Sequence, residues 1–394
     1  MDEKDRLLLI CLQSGLPLTH RPFDSWVSKT GIDSAELLVR IQRLKKEGIL
    51  GGMQAILDPK NFHYQSAWVA MRIGRERHVS SHATSTSRGS FEIPDRSQAP
   101  AEAVLKDRPL AQPSPQELES RTEALWQHPG VIYGCEREHA FNVWFFVAVP
   151  GEHDLELHVR CMEKLAGAEQ TLFLPARRIL KGTGFLSVMA PATFPGMPEL
   201  FEGRPRRAVP DLTGEEIRII RQLQEPFPLT DEPFQKIAAD LGITETQALE
   251  RMRSLVEKGC LKHIGSLSKP APTDLPQSIL VVWQIPEEKL ERMAPEIAEF
   301  REVLYADQRE APPEFPYSLY TLIRAGSVSE LELTTRRMQD RLGKWPHRGL
   351  VTIRELKKKR MRYFPEELDA WWFKNRRVVE TAFNRSHRHL VRGT

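Results

Sequence analysis

Two stretches of this chain concentrate side chains able to do chemistry. Residues 134–146 read GCEREHAFNVWFF, and residues 305–323 read YADQREAPPEFPYSLYTLI. Arg137-Glu138 of the first aligns with Arg309-Glu310 of the second, so the two stretches are versions of one turn. Arg137 and Arg309 bring guanidinium forks suited to gripping carboxylates in pairs of hydrogen bonds. His139 brings the side chain that exchanges a proton near neutral pH without help. Taken alone, these are weak signals. A single histidine in a β-turn is more often a surface group, and an arginine beside Glu136 and Glu138 pairs with them at the surface. Tyrosines at a strand start, such as Tyr317 and Tyr320, are core residues by default.

The elements that must hold these turns come in two copies. Residues 12–32 read LQSGLPLTHRPFDSWVSKTGI and residues 223–243 read LQEPFPLTDEPFQKIAADLGI. Nine of the 21 positions are identical at an offset of 211 with no gap, and Arg40/Arg251, Leu44/Leu255, Gly48/Gly259 and Leu50/Leu261 extend the register. Each copy opens with a helix-turn-helix pattern. In copy one, helices are predicted at 5–14, 22–28 and 35–47, with a glycine turn at Gly31 and a cap at Asp33 or Ser34. A β wing follows at 49–57. Copy two predicts helices at 215–224, 233–240 and 244–258 and a wing at 260–267.

After each wing the pattern changes to β-α-β-β-α-β, the order of a ferredoxin-like unit. In copy one the strands are expected at 66–73, 131–136, 142–149 and 179–188, with helices at 118–128 and 154–165. In copy two the strands are expected at 279–285, 303–308, 318–324 and 350–357, with helices at 287–300 and 329–342. The predicted fold is therefore α+β, a tandem repeat of winged helix-turn-helix and ferredoxin-like domains. Its expected boundaries are 1–60, 61–190, 211–270 and 271–362. A Ser/Arg/Pro-rich insert without apolar period interrupts copy one at about 75–115. A Pro/Gly-rich linker at 191–210 joins the copies. A tail at 363–394 holds Trp371 and Trp372 on a helix and then turns basic.

Composition sets outer limits. The chain has 394 residues, 28% charged and 40% hydrophobic, with a formal net charge of +3. That charge is too small to imply nucleic acid or an acidic membrane by itself. Cys11, Cys135, Cys161 and Cys260 form no C-x-x-C pair, so neither a zinc site nor a disulfide framework is expected. The acidic start, MDEKDRLLLICLQ, lacks both a signal peptide's basic region and a membrane-spanning length of apolar residues. The chain reads as cytoplasmic. His153, His158, His387 and His389 lack a supporting ligand set and read as solvent-facing.

A winged helix joined to this α/β unit resembles the Lrp/AsnC family of bacterial regulators. That resemblance implies a DNA-reading third helix, and hence a regulator responding to a tetrapyrrole or an amino acid. Charge argues against it: residues 34–47 carry a net +2 and residues 244–258 carry zero, where phosphate contact wants clustered cations.

The two turns resemble a particular offshoot of that fold, the siroheme decarboxylases. One subunit type of that family carries a pattern like HPGV-x-x-x-YEREH-x-YN-x-WF, matched here from His128-Pro129-Gly130-Val131 through Arg137-Glu138-His139 to Asn142 and Trp144-Phe145. The other carries R-x-x-x-P-x-(W/F)-PY-x-L-(F/Y)-T, matched by Arg309, Pro313, Phe315, Pro316-Tyr317, Leu319, Tyr320 and Thr321. The resemblance implies a fusion of both subunit types. It also implies loss of CO2 from two acetate side chains (C12 and C18) of siroheme, a step of heme or heme d1 biosynthesis. His139, Arg137 and Tyr317 are then the expected catalytic residues. Arg309, Trp144, Tyr133, Tyr320 and Arg177 (or Arg178) are expected to bind substrate, with Phe146 as further apolar cover. No added metal or cofactor is implied, because the iron belongs to the substrate. Siroheme is the expected partner, with a homodimer or a related decarboxylase subunit as further partners. A heme-binding sensor without turnover is a third reading. The sequence departs from the pattern at Ala311, which stands where copy one has His139, and at Arg324, where a histidine is expected. It departs also at Cys135, where tyrosine is common, and at Gly51-Gly52 in the first wing. Copy two therefore reads either as a second active half or as a scaffold.

Overall fold

The computed structural model describes residues 1–58, 61–74, 113–182, 209–268 and 278–379. The expected insert up to residue 112, most of the expected linker, and His387 and His389 lie outside the described residues.

Copy one opens with helix α1 (Glu3–Ser14), where Asp2 and Asp5 form a reciprocal capping box. Helix α2 (Asp24–Thr30) stops at Gly31, whose φ of 64° is a left-handed conformation that glycine reaches without a Cβ clash. Asp33 caps helix α3 (Ser34–Lys46), and strand β1 (Leu50–Leu57) follows. Next come β2 (Tyr64–Arg72), α4 (Pro115–Trp126), β3 (Val131–Arg137), β4 (Val143–Pro150), α5 (Leu155–Ala166), β5 (Gln170–Leu174) and β6 (Ala176–Lys181).

Copy two repeats this with α6 (Gly214–Leu223), α7 (Pro233–Leu241), α8 (Glu245–Glu257) and β7 (Leu261–Ser268). It continues with β8 (Ser278–Trp283), α9 (Glu287–Glu299), β9 (Val303–Arg309), β10 (Leu319–Arg324), α10 (Val328–Leu342), β11 (His347–Leu350) and β12 (Thr352–Lys358). Helix α11 (Glu367–Asn375) carries Trp371 and Trp372.

The winged units share a single core. Leu8, Leu12, Trp26, Leu37, Ile41 and Leu44 of copy one pack in one cluster with Ile219, Ile220, Phe234, Leu249 and Leu255 of copy two. The wings β1 and β7 pair antiparallel with each other, from Leu50 opposite Ser268 to Leu57 opposite Leu261. His20 Nδ1 lies 2.7 Å from Glu245 at the start of α8, and Ser34 at the start of α3 donates to Asp231. A DNA-reading unit needs the N-terminal turn of its third helix free for base edges. Here each copy's loop occupies that turn of the other, so the fold does not support a transcription-regulator role.

The ferredoxin-like units form two five-stranded sheets, ordered β12-β3-β4-β2-β5 and β11-β8-β10-β9-β6. Four strands of each come from one copy. The fifth crosses over: β6 pairs with β9, and β12 pairs with β3. This corrects the strands expected at 179–188 and 350–357. The shorter β5 and β11 close their own sheets, and the runs after Pro175 and Val351 serve the opposite sheet. Side-chain alternation says which face of a strand is buried, not which neighbour it bonds to.

The layers run helix, sheet, sheet, helix. Trp68, Tyr133, Trp144 and Phe146 of one sheet face Val282, Tyr305, Tyr320 and Leu322 of the other. α4, α5 and α11 cover the outer face of the first sheet, and α9 and α10 that of the second. Among the described residues, no helix is long and apolar enough to cross a membrane.

Candidate active site

Strand alternation aims Tyr133, Cys135 and Arg137 of β3 at the second sheet. The turn after β3 is closed by the Arg137 N–H donating to the Asn142 carbonyl at 2.9 Å. The Asn142 side chain bonds both the N–H and the carbonyl of Ile73, each at 3.0 Å, and so ties the turn to the end of β2. His139 sits in that turn, 8% exposed, its ring parallel to Phe141 at 5.9 Å. Its Nδ1 accepts the Phe141 N–H at 3.0 Å. A neutral ring so placed carries its proton on Nε2.

Arg137 is buried. Its Nη1 donates to the Leu350 carbonyl at 2.8 Å and to Thr352 Oγ1 at 3.2 Å, both at the crossover of copy two. Its guanidinium lies over the Trp144 ring at 5.6 Å, a cation–π contact. Its Nε is buried without a partner.

Copy two mirrors this arrangement. Arg309 Nη1 donates to the Leu174 carbonyl at 3.0 Å, at the crossover of copy one, and its guanidinium lies over Tyr320 at 5.0 Å. Asp307, however, stands where copy one has Cys135, and Arg309 forms an ion pair with it. The Tyr305 hydroxyl donates to the same carboxylate at 3.1 Å. Burial pushes the Asp307 carboxyl up while Arg309 opposes it. Burial also pushes the Tyr320 phenol up, so it stays protonated. Its oxygen has no hydrogen-bond partner.

The two turns meet at Phe315. This ring reaches from the β9–β10 loop to within 5.5 Å of His139, 5.7 Å of Trp144, 6.1 Å of Phe141 and 4.7 Å of Tyr317. The candidate site thus lies between the copies. Among the described residues, six buried side-chain polar atoms lack a partner, and three of them, on Arg72, Arg137 and Tyr320, surround this aromatic group. An unmade buried hydrogen bond costs about 1–3 kcal/mol, so this cluster has open hydrogen-bonding capacity that a polar ligand could fill.

Other expected residues land as follows. Tyr133 is buried edge-on against Trp68 at 5.8 Å, and burial pushes its phenol up. Tyr317 is half-buried against Phe315. Arg177 falls outside the cluster: it is spent on Glu287 at 2.7 Å and Glu310 at 3.1 Å, and Arg178 on Glu291 at 3.2 Å. Strand β6 puts both at an exposed sheet edge, away from the aromatic cluster. The solvent-facing reading of His158 is corrected. It is buried, its Nδ1 is 2.8 Å from His128 Nε2, and it stacks on Trp372 at 4.4 Å. Sequence reading missed Arg72 and Asp307, although aligning the two turns puts Asp307 opposite Cys135.

Comparison with known proteins identifies the family to which this fold belongs. The sequence profile described as "Siroheme decarboxylase NirDL-like HTH domain" matches residues 5–50 and 216–261. The "AsnC-like ligand binding domain" profile matches residues 110–181 and 276–357. A siroheme decarboxylase of Hydrogenobacter thermophilus is 28% identical over 372 residues, spanning 94% of this chain and 98% of that protein. The siroheme decarboxylase NirD subunit of Pseudomonas aeruginosa is 31% identical over 115 residues, 29% of this chain and 73% of the subunit. A crystal structure of the siroheme decarboxylase NirDL superposes with a TM-score of 0.64 at 25% identity, covering 96% of this chain and 100% of that one. The chain belongs to the siroheme decarboxylase family, with both subunit types fused in one polypeptide.

Proposed function

We propose that this chain is a carboxy-lyase that binds siroheme between the two turns and removes CO2 from two of its acetate side chains. The observation that carries the reading is the meeting of the turns at Phe315. The segments are far apart in sequence, yet they join an imidazole, a guanidinium with an open Nε and a phenol around one aromatic group. The reaction is redox-neutral. The acetate C–C bond breaks, its electron pair stays on the methylene carbon, and one proton turns that carbon into a methyl group. No electron acceptor is required, and the only iron in the proposal is the substrate's own.

Charge leaves the reacting carboxylate as CO2 forms. A cation held on that carboxylate would therefore stabilise the ground state more than the transition state. Arg137 accordingly serves as an anchor for a neighbouring, non-reacting carboxylate. The reacting acetate faces the apolar walls of Phe141 and Phe315, beside His139. The Tyr320 phenol, protonated and unpartnered, donates to a substrate oxygen, and Trp144 and Tyr317 flank the macrocycle. His139 delivers the proton. Because its Nδ1 accepts from Phe141, an imidazolium forms only if that bond opens, and the ring must turn as Phe315 yields to substrate. Arg309, already neutralised by Asp307, pins the crossover rather than the ligand.

The test is anaerobic incubation of purified protein with siroheme, following product mass. Loss of one and then two CO2 is expected. A stable absorbance shift with unchanged mass would show a binding protein without turnover and overturn the proposal. His139→Gln keeps a hydrogen-bond donor but cannot pass a proton. It should lower kcat by about 100-fold or more, the usual scale of general acid catalysis, with little change in KM. An unchanged kcat removes His139 from the proton transfer.

A further inference from the structure

We infer that Arg72 is a second carboxylate anchor for the macrocycle, set on the other side of the His139 turn from Arg137. This rests on the siroheme reading above. Arg72 ends β2, and its register puts it on the face that carries Trp68 and Ala70, toward the second sheet. Its guanidinium lies 5.2 Å from the centre of the Phe141 ring, the ring that lies parallel to His139. Its Nε is buried and has no hydrogen-bond partner, and no carboxylate pairs with it among the described residues. A buried guanidinium donor left open costs free energy that an anionic ligand restores.

The turn is thus bracketed by two arginines, each over one of its rings and each with Nε unpartnered: Arg72 over Phe141, and Arg137 over Trp144. The repeat shows that the second cation belongs to this half alone. Residues 66–73 (SAWVAMRI) align with residues 278–285 (SILVVWQI), which puts neutral Gln284 in the place of Arg72. Among the described residues, the half with the histidine therefore holds two arginines at this turn without an ion-pair partner. The other half holds one, and it is neutralised. The matching ligand is a flat polycarboxylate gripped at two separate carboxylates, with a third group left beside His139.

Arg72→Gln installs the copy-two residue, and Arg72→Met keeps an apolar stem over Phe141. Full-length wild type and both variants are titrated with siroheme by absorbance over a range of salt concentrations, and kcat and KM are measured. Both variants should bind about ten- to hundredfold more weakly, the worth of a charge-assisted hydrogen bond. KM should rise while kcat holds, and the salt dependence of binding should flatten. Wild-type affinity and an unchanged salt dependence in either variant overturn the inference. Failure of wild type to bind siroheme at all would instead sink the functional reading, which keeps the two outcomes distinct.

Discussion

The arginines of the two half-sites sit in matching frames and carry opposite consequences. Each lies over an aromatic ring of the next strand, and each pins the carbonyl at which the other copy's chain crosses between sheets. They differ in the residue two positions before them. Asp307 neutralises Arg309, whereas Cys135 leaves Arg137 charged and short of a partner. Duplication preserved the clamp in both copies and left a guanidinium without an ion-pair partner among the described residues in one. The asymmetry expected from REHAFN against REAPPEFPYS is therefore wider than a missing histidine: it includes Asp307 in place of Cys135 and Gln284 in place of Arg72.

The largest test of this contrast is thermodynamic. Asp307→Asn strands the Arg309 charge in a core it cannot leave. Breaking a buried pair on one side costs about 3–5 kcal/mol, seen as a large fall in thermal midpoint. Asp307→Asn combined with Arg309→Met removes both charges and should recover most of that stability while keeping siroheme turnover. A folded double variant that has lost turnover would make Arg309 part of the substrate site and break the contrast.

The reciprocal change acts on binding. Cys135→Asp puts a carboxylate two residues before Arg137, as copy two already has. The chain should fold, with Arg137 now neutralised, and siroheme affinity should drop about ten- to hundredfold, the loss of one charge-assisted contact. Unchanged affinity in a titration would show that Arg137 is a clamp in both senses and anchors nothing.

Much of this architecture was legible in the sequence because it repeats. Gly31 and Gly242 end equivalent helices at φ of 64° and 68°, and identity at such turns is what pattern reading detects. His139 and Arg137 stood out by type before their positions were known, whereas Phe315 was named only as a matched position of the family pattern. The strand exchange was not legible. The segments at 176–181 and 352–358 look like the last strand of their own unit, and only the hydrogen-bonding partner, which alternation does not encode, reveals the swap. Arg177 was named for its charge alone, and the exchange puts it on a surface edge with Glu287 and Glu310. Arg72 was hidden for the opposite reason: a charged residue ending an apolar strand reads as the strand's exit to solvent.

The last contrast concerns acid. Copy one carries His128 at the place where copy two has Phe300. His128 and His158 bond to each other beneath Trp371 and Trp372. His153 and Asp154 face the pair from the turn before α5, Asp369 from α11, and Lys357 from β12. Burial, reinforced by His153, holds His158 down at about 4, and burial holds His128 well below its ordinary value. Both are neutral in the fold. The unfolded chain binds their protons first as pH drops, so stability is full above the ordinary histidine value of 6.5 and declines as pH falls toward about 4. Lys357, drawn down to about 8 by burial, titrates above that window. One such histidine costs about 1–2 kcal/mol by roughly pH 5. Tryptophan fluorescence should report α11 loosening from copy one. His158→Gln retains a hydrogen-bonding partner for His128 without titrating, so the slope of stability against pH should shrink by about one proton. An identical slope in wild type and variant would mean that the acid sensitivity lies elsewhere and that copy one is no more acid-labile than its twin.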